Sequence, residues 1–123
     1  MAERVTLVTG AGSGAGLGIA KELAAEGGVV VVSDLSPEMS AAAAEEVNAR
    51  GAVGVSIPID FSEEQQVEDL FAQIEKDHGG VELLVNTVAW IDPPGPIVEL
   101  PTERWHKAIR TNLDSIMFTT RAA

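Results

Sequence analysis

Four short runs of apolar, largely β-branched residues, set between helix-forming stretches, limit what this chain can fold into more than any other feature. They are Val5 to Thr9, Val29 to Ser33, Val53 to Pro58 and Val81 to Val85. In the second, Val29-Val30-Val31-Val32 shows no polar alternation. A strand of that kind has to be covered on both faces, as in a parallel sheet between two layers of helices. Strands alternating with helices in this way are βαβ units. The punctuation agrees: Ser36-Pro37-Glu38 supplies an N-cap, a proline at the first helical position and an early acid, and the helix runs through Ala41 to Arg50 until Gly51 stops it. Ser62 and Gln65 have capping-box spacing ahead of Val67, Leu70, Phe71 and Ile74, and Gly79-Gly80 ends that helix. Thr102 is placed to cap a last helix, along which Trp105, Ile109, Leu113, Ile116 and Thr120 form one stripe.

At 123 residues the chain holds one domain, and no internal repeat or linker divides it. The helical pattern reaches Ala123 without a Gly, Pro or polar cluster to close it. The expectation is therefore a single domain over 1–123, the N-terminal part of a longer protein, cut within or at the end of that fourth helix. Asp and Glu number 19 against 8 Lys and Arg, a net charge of -11, so nucleic acid and anionic membrane are excluded as partners. The chain has no cysteine, which rules out a disulfide framework or a thiolate metal site, and no His/Asp/Glu group has metal-ligand spacing. It shows neither the h-region of a signal peptide nor a run of transmembrane length, so a cytoplasmic location is expected.

The strongest chemical signal is Thr9-Gly10-Ala11-Gly12-Ser13-Gly14-Ala15-Gly16-Leu17-Gly18, where the first strand hands over to the first helix. Glycines let the backbone turn sharply and approach a ligand, and the free N–H groups at the start of a helix attract phosphate. This gives an acidic protein a local way to hold an anionic dinucleotide; a flexible turn without a ligand is the competing reading. Asp34 ends the second strand about twenty residues further on, the position of an acid that receives ribose hydroxyls. Its charge repels a 2′-phosphate, and no Lys or Arg lies between Gly10 and Gly18 to offset it, so NAD is preferred over NADP. The alternative role for Asp34 is to begin the turn before Ser36. His78, His106 and the pairs Glu45-Glu46 and Glu63-Glu64 are read as solvated side chains. Trp90-Ile91-Asp92-Pro93-Pro94-Gly95-Pro96 either lines a substrate pocket or is a stiff packing loop.

Together these residues resemble the short-chain dehydrogenases/reductases. Thr9-Gly10-x-x-x-Gly14-x-Gly16 matches the cofactor fingerprint T-G-x-x-x-G-x-G of that family, and the likeness covers essentially the whole chain. It implies cofactor-binding roles for Gly10, Ser13, Gly14, Ala15 and Gly16, for Asp34 with Leu35, and for Asp60 with Phe61, Asp60 being the acid that meets the adenine. Asn86-Thr87-Val88-Ala89 stands where the family has N-N-A-G, keeping the first Asn and replacing the second with Thr87 and the glycine with Ala89. Asn112 matches an asparagine that helps organise the proton relay of the family, which makes it the one catalytic candidate here.

The resemblance implies an α/β, doubly wound parallel sheet of Rossmann type, strand order 3-2-1-4 with right-handed crossovers, incomplete at the C-terminus. It also implies an NAD(P)-dependent oxidoreductase passing hydride between nicotinamide and a small alcohol or carbonyl. The Ser, Tyr and Lys that family members use for proton transfer lie beyond this stretch. The chain has no tyrosine, and Lys21, Lys76 and Lys107 do not match the lysine of the family, so turnover by these 123 residues alone is not expected. The long fourth helix often joins subunits in the family, so its stripe is expected to form a homo-oligomer. A non-catalytic nucleotide-binding module is the alternative. An S-adenosylmethionine-dependent methyltransferase is a weaker one, opposed by the glycine spacing and Asn112.

Overall fold

The computed structural model describes residues 3–123. Strands β1 (Val5–Thr9), β2 (Val29–Ser33), β3 (Val53–Ser56) and β4 (Leu83–Asn86) form one sheet in the order β3-β2-β1-β4, every pair parallel. Helices α1 (Gly14–Ala24), α2 (Pro37–Asn48) and α3 (Glu64–His78) make the crossovers. After β4 the chain passes through a 3-10 turn (Ile97–Glu99) into α4 (Thr102–Ile109) and α5 (Ser115–Ala122), which a π-helical turn over Arg110–Asp114 joins. This is the doubly wound arrangement expected from the alternation of runs.

The unbroken valines of β2 are explained by what lies on either side. Val30 and Val32 pack with Val8 against Ala20, Ala24, Ala43, Ala44 and Val47 of α1 and α2. Val29 and Val31 pack with Val5 and Leu7 against Phe61, Val67, Leu70 and Ile74 on the other face. Both faces of the strand are therefore core, and either kind of polar residue there would be buried without a partner. Alanines line the first face, so the helix comes in close: a Cβ on Gly54 of β3 would lie 2.2 Å from the carbonyl oxygen of Ala44.

Several boundaries differ from the sequence expectation. β3 ends at Ser56, before Pro58, which has no N–H to donate; Ile57 and Ile59 nevertheless donate to Val32 and Asp34, so the pairing fades gradually. β4 begins at Leu83, although Glu82 N already donates to Val5 O at 2.9 Å. Ser36 caps α2 as expected, accepting from Met39 N. Ser62 does not cap α3: its N–H and hydroxyl both donate to Asp60 Oδ1, and the helix starts two residues later at Glu64. Thr102 is the first residue of α4 and makes no cap bond, the N-cap position being Pro101.

The last helix also turns out opposite to its hydrophobic pattern. Its buried positions are Ser115 and Thr119, whereas Trp105, Leu113 and Ile116 are exposed. Small side chains let the helix approach β4, and their polar groups are satisfied in place. Ser115 Oγ donates to Thr111 O at 2.6 Å, and Thr119 Oγ1 donates to Asn86 Oδ1 at 2.9 Å. A buried hydroxyl with a partner carries little penalty, so here periodicity locates the helix without saying which face is covered.

Candidate functional site

Parallel strands in a doubly wound sheet deliver their carboxyl ends to one edge, and there the loops after β1, β2, β3 and β4 surround a cleft of about 980 Å³. Gly10, Ser13, Gly14, Ala15, Gly16, Asp34, Leu35, Asp60 and Phe61 all line it. The side chain of Leu35 is 69% exposed, an apolar surface open at the cleft, whereas Phe61 is 4% exposed and belongs to the core. Asn86 and Asn112 are not among the lining residues. Both act behind it.

The glycine turn is built to leave its amides open. The first helical hydrogen bond of α1 is Leu17 N to Ser13 O, so the N–H groups of Gly14, Ala15 and Gly16 have no partner within the helix. Ser13 makes no cap bond, and no acid occupies the first turn of α1, although Glu38 and Glu64 do so in α2 and α3. In a chain this acidic, that vacancy makes α1 the helix start at which an anion meets least repulsion. Gly16 cannot be larger: a Cβ there would lie 2.3 Å from Gly10 O and 2.4 Å from Thr87 Oγ1.

Asp34 does two things at once. Its Oδ2 accepts from Gly12 N at 2.9 Å and its Oδ1 accepts from Ser36 N at 3.2 Å. It therefore starts the turn before α2, the bland role weighed for it, and also ties that turn to the glycine loop at the cleft. Asp60 Oδ1 is held by the N–H and hydroxyl of Ser62, at 2.9 and 2.7 Å.

Thr87 was legible in the sequence only as a departure from a motif. Its hydroxyl donates to Thr9 O at 2.6 Å and to Gly10 O at 3.2 Å, locking the end of β4 to the glycine turn beside Gly16. Asn86 Oδ1 accepts from Thr9 Oγ1 and Thr119 Oγ1, which joins β4, β1 and α5. Asn112 faces inward as expected, though beside Ser115 rather than the apolar stripe. It grips one residue from both sides: its Oδ1 accepts from Trp90 N at 2.6 Å and its Nδ2 donates to Trp90 O at 2.8 Å. Trp90 and Ile91 line the cleft, while Pro93 to Pro96 are exposed. Met39, Ile59, Lys107, Arg110 and Thr111 also line it and were not anticipated; the spacing of Lys107, Arg110 and Thr111, opposite the apolar stripe, was the available signal. No helix among the described residues is long and apolar enough to cross a membrane.

Known proteins match this architecture along nearly its whole length. The chain is 42% identical over 113 residues (92% of this chain, 44% of the relative) to the uncharacterized oxidoreductase YxjF of Bacillus subtilis. It is 40% identical over 121 residues (98% of this chain, 46% of the relative) to D-beta-hydroxybutyrate dehydrogenase of Cupriavidus necator. A short-chain type dehydrogenase/reductase from Mycobacterium ulcerans superposes with a TM-score of 0.90 at 29% identity, covering 100% of this chain and 46% of that one. NAD+-bound xylitol dehydrogenase superposes with a TM-score of 0.92 at 26% identity, covering 97% and 46%. The chain thus spans less than half the length of each of these proteins. A family model described as short chain dehydrogenase matches residues 4–123, and the chain belongs to the short chain dehydrogenase family.

Proposed function

We propose that this chain is the cofactor-binding part of an oxidoreductase that uses NAD to pass hydride between a small alcohol and the corresponding carbonyl compound. One observation carries the reading: the open amides of the glycine turn, Asp34 and Asp60 face a single cleft at the carboxyl edge of the sheet. Pyrophosphate would rest on the N–H groups of Gly14, Ala15 and Gly16 with Ser13 beside them. The ribose hydroxyls would donate to Asp34, and the adenine would lie between Leu35 and the Asp60-Phe61 turn. When bound, the nicotinamide supplies the hydride chemistry. Asn86 and Asn112 serve as positioning residues, Asn86 for the end of β4 and Asn112 for the loop at Trp90. NAD is preferred because Asp34 places a carboxylate where NADP carries a phosphate.

The family's tyrosine acid/base is not among these 123 residues, so the chain by itself should bind without turnover. A cytoplasmic location and self-association through the exposed face of the last helix complete the proposal. Calorimetric titration with NADH, NADPH and S-adenosylmethionine tests it, with Gly16→Ala as the control. NADH should bind, and the control should lose at least tenfold in affinity. Binding of S-adenosylmethionine in preference to NADH would overturn the reading, and measurable alcohol oxidation above the control would overturn the claim of inactivity.

A further inference from the structure

Among the described residues, four of the eight Lys and Arg side chains are held in ion pairs: Arg4 with Glu26, Lys21 with Glu46, Arg104 with Asp92 and Arg121 with Glu64. Of the other four, Lys107 and Arg110 both line the cleft. They stand at i and i+3, and like charges on one helix face destabilise it unless an anion lies between them. Carboxylates are within reach along the helix, Glu103 four residues before Lys107 and Asp114 four residues after Arg110. Neither pair forms among the described residues. Lys107 Nζ lies instead 4.3 Å from the centroid of the Trp90 ring.

That ring is a fixed shelf, because Asn112 holds both the N–H and the carbonyl of Trp90. Asp92, the acid on the same loop, is taken by Arg104. The acids lining the cleft stand elsewhere. Asp34 and Asp60 sit in the turns after β2 and β3 and already accept backbone hydrogen bonds, and Glu63 precedes α3. Two cations are thus gathered on one wall of the cleft, in a chain of net charge -11, with no carboxylate set against them.

We propose that Lys107 and Arg110, seated beside Trp90, form a second anion subsite that receives a carboxylate or phosphate distinct from the pyrophosphate of a dinucleotide. The proposal rests on reading the cleft as the dinucleotide site. The same chemistry has two sources, an anionic substrate or a phosphate carried on the cofactor's ribose, and one experiment separates them. In a Trp105→Phe background Trp90 is the only indole of the chain, and its fluorescence is titrated with inorganic phosphate after saturation with NAD.

A saturable response is expected. In the double variant Lys107→Met with Arg110→Met its midpoint should move at least tenfold higher, while NAD affinity by calorimetry stays within twofold. Lys107→Arg with Arg110→Lys should restore most of the response, which sets lost charge apart from lost folding. Saturation with NADP in place of NAD assigns the source: abolition of the phosphate response marks the cofactor's ribose phosphate, and its persistence marks a substrate-borne anion. An unchanged midpoint in the double variant overturns the proposal. So does disappearance of the response once NAD is bound, since phosphate then occupies only the glycine turn. Failure of NAD to bind counts against the cofactor reading alone, because a phosphate response that depends on Lys107 and Arg110 would survive it.

Discussion

At the scale of single residues, Asp34 is the side chain in which recognition and local folding are hardest to separate. Its two oxygens hold Gly12 N and Ser36 N, so the carboxylate proposed to receive the ribose also sets the distance between the glycine loop and the turn before α2. Asp34→Asn removes the charge and keeps an acceptor for only one of those amides. The ratio of NADPH to NADH dissociation constants should fall by roughly tenfold, about 1.4 kcal/mol of repulsion, while NADH itself also weakens. Parallel titrations check this, and a variant that leaves the ratio unchanged removes Asp34 from cofactor selection. Gly10, Gly14, Gly16 and Asp34 were legible because their constraint is written locally, in conformational freedom and in charge at a strand end. Thr87 was not, because its role depends on β4 lying beside β1, and nothing in Asn86-Thr87-Val88-Ala89 announces that its hydroxyl will meet the carbonyl of Gly10.

Among the elements, the sheet was legible and the helix starts were less so. The valines of β2 admit one environment, whereas Ser62 had two acceptable partners and took the neighbouring carboxylate of Asp60 over an amide of α3. Such short-range competition is the usual fate of Ser and Thr near a turn. The π turn was invisible, since Arg110 to Asp114 carry no residue type that demands one. Its product is the inward reach of Asn112, which makes both of its hydrogen bonds to Trp90. Asn112→Ala leaves the N–H and carbonyl of Trp90 without these partners. A loss of about 1–3 kcal/mol in stability is expected, together with red-shifted, more solvent-exposed Trp90 emission in the Trp105→Phe background. Unfolding curves and emission spectra that match the parent would show that the loop is fixed by other contacts.

For the whole molecule, the apolar side chains left outside are concentrated on the last helix. Trp105, Leu113, Ile116 and Met117 are 52%, 60%, 43% and 47% exposed, a cluster of the kind that soluble proteins cover with a partner. Self-association through this face follows from the proposal above, and Leu113→Asp with Met117→Lys should reduce the mass seen by light scattering to that of one chain. A parent already at that mass would remove the helix from any interface. The same helix depends on its π turn in a second way. Deleting one residue between Arg110 and Asp114 restores regular helical bonding and rotates all that follows by about 100°. Ser115 and Thr119 then leave β4, and the hydroxyl that reaches Asn86 is carried away with them. In genetic terms, an in-frame loss of one codon here rewrites the inner and outer faces of the helix together, which no single missense change in the segment can do.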